Sequence, residues 1–284
     1  MKAKGLLVSV SVSVSVSVSV SVSVSFRVSV MKIFVIGSGN VATHLSGALL
    51  KAGHTIAGVC GRSFEHADEL ARKLSAKPFD SLAHIPTDAD VYLISVSDDS
   101  IADVAAQMPD VKGIVAHTAG SVLMDVLKRF ENHGVIYPMQ SFTKNRKIDV
   151  GRVPCFVEGC TDDVADKLIM LAKTISIDVR LMTSEERKYL HLSAVFASNF
   201  VNGMFAEAET VLKHCRLPFS VLQPLIEETV AKALEMGPVA AQTGPARRGD
   251  AGVMQAQQKM LDDENQRNLY SFASKRITER YRKP

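Results

Sequence analysis

Three stretches of this chain have the residue types and spacing to act together in a reaction. In the first, His191, Val195 and Asn199 recur at a spacing of four within a helix-patterned run, so imidazole and carboxamide share a face, with Ser198 at its border. An imidazole, with an ordinary pKa of about 6.5, can give or take a proton at neutral pH. A carboxamide can hold a carbonyl or imine substituent. The second stretch is Gly244-Pro245-Ala246-Arg247-Arg248-Gly249-Asp250. Its glycines and proline make a tight interhelical loop, and an arginine there can grip a carboxylate with two hydrogen bonds. Asp250 reads as the N-cap of the next helix. The Arg-Gly-Asp tripeptide also spells a cell-adhesion motif, which in a chain read as cytoplasmic is a coincidence.

The third stretch is Gly37-Ser38-Gly39-Asn40-Val41-Ala42, directly after the apolar run Ile33 to Ile36. The run reads as a strand buried on both faces, and Val41, Leu45, Ala48 and Leu49 mark one face of a following helix. Gly37 permits the sharp turn. Gly39 removes a Cβ where a pyrophosphate would approach. Ala42 lets helix and strand pack closely, and the unpaired amides of the first helical turn favour an anion. A dinucleotide is the ligand such a turn fits.

The elements that position these groups follow from periodicity. Strand-like runs end at Cys60, Val96, His117 and Tyr137, separated by helix-length patterns. This predicts a doubly wound, mostly parallel α/β Rossmann sheet, and ligands sit beyond the carboxyl ends of such strands. At the second strand's tip stands Gly61-Arg62-Ser63 with no acid, so Arg62 and Ser63 suit the 2′-phosphate of NADP. Ser63 can equally cap the helix that begins at Phe64. Val96 and Ser97 end the next strand, and Asp98 or Asp99 is the expected cap of the helix from Ile101. Thr118-Ala119-Gly120-Ser121 is small enough to admit a cofactor close to the backbone. His117 either touches the ligand or is structural. Gln140 and Ser141 suit a small ligand, whereas Met139 and Phe142 read as core.

From Thr183 the texture turns helical throughout. Thr183 or Ser184 is the expected cap, followed by about thirty helix-patterned residues to His214 and three further helices. A helix that long cannot bury itself in one small domain, which predicts a homodimer. The domains expected are therefore a Ser-Val segment over residues 1–30, a Rossmann domain over 31–182, and an all-helical C-terminal domain over 183–284 for substrate and dimerisation.

Other classes are disfavoured. The net charge of +3 gives no reason for a nucleic-acid surface. Cys60, Cys155, Cys160 and Cys215 have no metal-site spacing and read as reduced thiols of a cytoplasmic protein. The Ser-Val alternation of residues 9–25 is too polar to span a membrane and has no register to prefer. The native protein is expected to start at Met31.

From Met31 onward the chain resembles bacterial Rossmann-like proteins with an uncharacterised helical C-terminal domain. These are relatives of pyrroline-5-carboxylate reductase and of the deazaflavin-dependent NADP oxidoreductases. The resemblance rests on the glycine turn and on Ser95-Val96-Ser97-Asp98, His117 to Ser121, Tyr137 to Phe142, His191 to Asn199, and Thr243 to Asp250. It implies NADP binding, a helical dimerisation domain and reductase chemistry on C=N or C=O, and it singles out Arg248 as the substrate-gripping arginine. A small, anionic metabolite is the expected substrate. A non-catalytic NADP sensor or scaffold is the rival reading, and a deazaflavin remains open as hydride partner.

Overall fold

The computed structural model describes residues 29–282, so nearly all of the Ser-Val segment lies outside the described residues. The first half runs β1 (Lys32–Ile36), α1 (Asn40–Lys51), β2 (Thr55–Cys60), α2 (Phe64–Lys73), β3 (Lys77–Phe79), β4 (Val91–Ile94), α3 (Ile101–Gln107) and β5 (Ile114–His117). It continues with β6 (His133–Pro138), β7 (Cys155–Gly159), α4 (Asp162–Lys173) and β8 (Val179–Leu181). These strands form one eight-stranded sheet in the order β3-β2-β1-β4-β5-β6-β7-β8. The chain leaves β1 to one side for β2 and returns to its other side for β4, which opens a crevice at the carboxyl end of β1.

Pairing is parallel except between β6 and β7. The connection between those two strands, residues 139–154, contains no α-helix, only a short 3₁₀ turn at Val150–Arg152. Here the chain returns antiparallel, so the expected parallel winding is interrupted between β6 and β7 and resumes between β7 and β8.

Burial explains the double winding. Successive residues of a strand face opposite sides. Ile33 and Val35 join one core with Leu45, Leu70 and Leu168, from α1, α2 and α4. Phe34 and Ile36 join a second core with Tyr92, Ile94, Ile101 and Phe130. A third, smaller cluster of Val135, Tyr137 and Phe156 has Leu190 and Met182 packed against it, and it lies where the helical half begins.

That half opens with α5 (Ser184–Ala194), a π-helical segment Val195–Phe200, and α6 (Val201–Leu212), one continuous rod as the periodicity implied. Thr183 is the cap: its hydroxyl accepts from the Glu186 amide, and the Glu186 carboxylate accepts from the Thr183 amide. Then follow α7 (Gln223–Met236), α8 (Pro238–Ala241), α9 (Pro245–Arg248), α10 (Ala251–Lys259) and α11 (Glu264–Tyr281). Among the described residues, no member of the three buried clusters comes from beyond Ile175. The helical half therefore has no comparable core of its own. No helix among the described residues is long and apolar enough to cross a membrane.

Candidate active site

At the glycine turn, Gly37 has φ of +117°, and a Cβ there would lie 2.2 Å from the Ser95 carbonyl oxygen. The requirement for glycine is therefore steric and conformational together. Gly39 is different: nothing lies within 4 Å of its Cβ position, so its missing side chain leaves open space before α1. No side chain caps α1 and no acid stands in its first turn, whereas Ser63, Thr161, Thr183 and Asp263 each cap their helices. Ser38, Asn40 and Val41 line this open, donor-rich turn, and Ala42 is buried against the sheet.

Beside the turn, a Cβ on Gly61 would lie 3.2 Å from the Ser38 hydroxyl. Arg62 follows, exposed, with no ion-pair partner among the described residues. Ser63 takes the capping role, accepting from the His66 amide at 3.4 Å. A feature missed in the sequence lies opposite. Residues 142–144 strap over the start of α1: the Lys144 amide donates to Asn40 Oδ1 at 3.0 Å, His44 bonds the Thr143 carbonyl, and its ring stacks on Phe142. Lys144 also pairs with Glu69 of α2 at 3.1 Å, and together with Lys73 it holds that carboxyl down to about 2. Its neighbours Gln140 and Ser141 had drawn attention in the sequence, but a lone lysine in a loop carries no such signal.

At the end of β4, Val96 is half-buried and the Ser97 hydroxyl bonds that of Ser100. Neither Asp98 nor Asp99 caps α3; a 3₁₀ turn Asp98–Ser100 leads into it, and the Asp98 carboxylate instead accepts from the Ser121 hydroxyl. The tip of β5 also departs from a ligand-contact reading. His117 is wholly buried, and its Nδ1 accepts from the Ala119 amide at 3.1 Å. It therefore holds the Thr118–Gly120 loop from beneath. Burial foremost, and then the charge of Arg187, pushes its pKa down to about 4, so it is neutral at physiological pH.

That loop is where the two halves of the chain meet. A Cβ on Gly120 would lie 2.5 Å from His191 Nδ1 and 2.8 Å from Tyr137 Cζ. The Tyr137 hydroxyl stands 3.1 Å from His191 Nδ1, and the two rings meet edge to face. His191 thus sits against the loop at the tip of β5. Tyr137, read in the sequence as part of a strand, is the partner that was missed.

His191 is set there by the residue one turn earlier on α5. Arg187 is 1% exposed and donates to Glu158 of β7 at 2.5 Å, to the Val122 carbonyl at 2.6 Å and to the Ser184 hydroxyl at 3.0 Å. Glu158 also accepts from the Ser184 amide and hydroxyl, and the Met124 amide donates to that hydroxyl. One polar clamp therefore ties α5 to β7 and to the segment after Gly120.

Asn199 and Arg248 are not brought to this point. Asn199 is exposed within the π-helical segment. Residues eight apart fall roughly 80° out of line in an unbroken α-helix. The wider π turn takes up part of that offset, and such segments recur at functional sites. Arg248 is exposed and sits 3.7 Å from Asp250 in its own loop. Asp250 stands at the cap position of α10 without making the side-chain cap bond. The described residues contain no group of three or more His, Cys, Asp or Glu able to hold a metal, and all four cysteines are free.

Sheet order, crevice and glycine turn together define a Rossmann-type dinucleotide-binding scaffold carrying a helical C-terminal half. Residues 32–127 match the family described as NADP oxidoreductase, coenzyme F420-dependent, and residues 153–277 match a domain family of unknown function, DUF2520. A protein of Bacteroides fragilis, provisionally named an NADP oxidoreductase, is 39% identical over 89% of this chain and 99% of its own, with a TM-score of 0.82. The chain belongs to this family, in which the NADP oxidoreductase domain is joined to the DUF2520 domain. A Thermotoga maritima protein shares the fold at 22% identity, covering 88% of this chain and 99% of its own, with a TM-score of 0.74. So does a pyrroline-5-carboxylate reductase of Streptococcus pyogenes, at 16% identity, 89% and 98% coverage, and a TM-score of 0.57. No curated protein matches the chain.

Two predictions follow from the clamp and the buried histidine. Arg187→Leu leaves the Glu158 charge without its partner, so urea unfolding should show a loss of about 3–5 kcal/mol; Arg187→Leu with Glu158→Leu should recover much of it. An additive double variant would mean that the pair is not coupled. His117, with a folded pKa below the unfolded value, stabilises the fold fully above about pH 6.5 and loses that contribution as pH falls towards 4. Unfolding measured at pH 7 and pH 5 should differ by roughly 2 kcal/mol more in the wild type than in His117→Gln.

Proposed function

We propose that this protein is an NADP-dependent oxidoreductase that transfers hydride to or from the carbon of a C=N or C=O group in a small, anionic metabolite. The observation that carries the reading is the meeting at Gly120. A backbone loop at the strand tips of a dinucleotide fold is pressed against a titratable histidine from the helical half. Family membership and the likeness to an enzyme of a cyclic imine, pyrroline-5-carboxylate reductase, support the same chemistry.

The residues present fit the cofactor. The uncapped start of α1 and the space at Gly39 receive a pyrophosphate; Arg62, unpaired beside the turn, receives the 2′-phosphate. Ser38, Asn40, Val41 and Ala42 form the cradle, Ser63 holds the start of α2 beside Arg62, and Val96, Ser97, Ala119 and Gly120 line the path towards the nicotinamide. His117 contributes by fixing that path. The bound nicotinamide supplies hydride, and the protein supplies position, a proton and exclusion of water. His191 is the proton donor in the reducing direction. Asn199 and Arg248, which a single chain does not bring to Gly120, are assigned the substrate's polar and anionic groups on the condition that the homodimer supplies them from the second copy.

The working form is a homodimer. Phe196, Leu234, Met260 and Phe272 are all more than 60% exposed, scattered along a helical half that has no buried cluster of its own. Apolar surface of that extent is normally covered by a partner, and a second copy supplies matching helices. The expected location is the cytoplasm.

Calorimetry should register NADPH binding, and Arg62→Ala should weaken it roughly tenfold or more while leaving NADH unchanged. NADPH consumption should then appear against a panel of cyclic imines and keto acids, and His191→Ala or Arg248→Ala should suppress it. Binding with no consumption across the panel would favour a sensor, and no binding of either nucleotide would overturn the proposal. Sedimentation at micromolar concentration should give a dimer, and a monomer only would contradict the assembly.

A further inference from the structure

Tyr137 is the side chain whose hydroxyl and ring both meet His191. It extends from β6, is 8% exposed, and packs in the cluster with Val135 and Phe156. Its hydroxyl has two neighbours: His191 Nδ1 at 3.1 Å and the Met139 sulfur at 3.4 Å. The other ring nitrogen of His191, Nε2, has no partner among the described residues and is not buried. Burial foremost, and then the Asp98 carboxylate, keeps the Tyr137 phenol above its ordinary pKa, so the hydroxyl stays protonated. The charged groups that act on Tyr137 are Asp98 beyond β4 and Arg187 on α5, with Glu158 of β7 paired to that arginine and His117 beneath the Gly120 loop.

We propose that Tyr137 is the positioning residue for His191, a hydroxyl that satisfies both protonation states of the imidazole and reserves Nε2 for the substrate. This deepens the reductase reading and rests on it for the substrate step alone. A phenol donates one hydrogen bond and can accept others. Beside neutral His191, the hydroxyl donates to Nδ1, because an imidazole nitrogen is a better acceptor than a thioether, and the proton of the neutral ring stays on Nε2. Beside charged His191, Nδ1–H donates to the Tyr137 oxygen, and the phenol hydrogen turns to the Met139 sulfur. The hydroxyl is satisfied in each state, so the ring charges and discharges without an unpaired group and without turning over.

The reducing step then balances. The substrate carbon takes hydride, two electrons with one hydrogen, from reduced nicotinamide, and the C=N or C=O π bond breaks. Its nitrogen or oxygen takes the proton from Nε2 of charged His191. Proton transfer leaves the ring for the moment as the Nδ1–H tautomer, still donating to Tyr137; solvent then recharges it at Nε2 and the reduced product leaves, and only the uncharged resting enzyme relaxes to the Nε2–H form. Gly120 permits this arrangement, since a side chain there would occupy the position of both rings.

The test needs neither cofactor nor substrate. In the full chain with ¹⁵N-labelled histidine, NMR should show neutral His191 as a single tautomer with hydrogen on Nε2. Tyr137→Phe, nearly isosteric, should mix the two tautomers without lowering the melting temperature by more than a few degrees. Met139→Leu removes the second acceptor, so the charged ring should lose its arrangement, read as a changed Nδ1 ¹⁵N resonance in acid. A wild-type ring with hydrogen on Nδ1, or one indifferent to both substitutions, would overturn the proposal. Because the readout is made without nucleotide, its failure is separate from any failure to bind or consume NADPH.

Discussion

The ion pair of Arg187 with Glu158 decides where the helical half can act. A buried charge is costly unless it is neutralised and fully hydrogen-bonded. Here one guanidinium joins α5, β7 and the segment after Gly120 through partners at 2.5 to 3.0 Å, with only its buried Nε left without a partner among the described residues. On α5 only Ser184 and Arg187 are buried, and both belong to this clamp. The placement of the helix is thus specified mainly by polar geometry, with the half-buried Leu190 as its apolar contact to the third cluster. Such geometry tolerates little sliding, because each displaced bond leaves a buried donor or acceptor unpaired. His191, one turn along, inherits that precision.

The two halves answer different physical demands. The sheet domain is stabilised by two buried faces, with strand residues alternating between them. Its carboxyl edge is left open at Gly39 of the glycine turn, while at Gly120 it is closely packed by His191 and Tyr137. The helical half keeps its large apolar side chains at the surface, where a second copy can cover them. A reaction needing both a nucleotide and a proton donor is best placed where a rigid edge meets a clamped helix, and that junction is the Gly120 loop.

Much of the edge was legible in the sequence because its constraints are local. The positive φ of Gly37 demands glycine, and the strand–turn–helix pattern around it is set by neighbours. His191 was legible from helical spacing. The residues that place it were not. Arg187 and Glu158 are twenty-nine positions apart and look like ordinary surface charges until the antiparallel return of β7 brings them together. That return was itself hidden, since strand direction across a long loop leaves no local pattern. Tyr137 read as strand, and only the fold shows its hydroxyl at the histidine. Asp98 misled because it has the composition of a cap while a serine hydroxyl stands at its carboxylate; Asp250 does stand at the cap position of α10, with the loop arginine rather than a helix amide at its carboxylate.

A crystal structure of the full chain with bound NADP⁺ bears most directly on the claim that cofactor loop and clamped helix form one site. The nicotinamide ring should lie against Gly120, its C4 turned towards the side of α5 that carries His191, with the pyrophosphate over Gly39 and the 2′-phosphate at Arg62. A nicotinamide seated away from Gly120, or with C4 facing away from α5, would contradict the account.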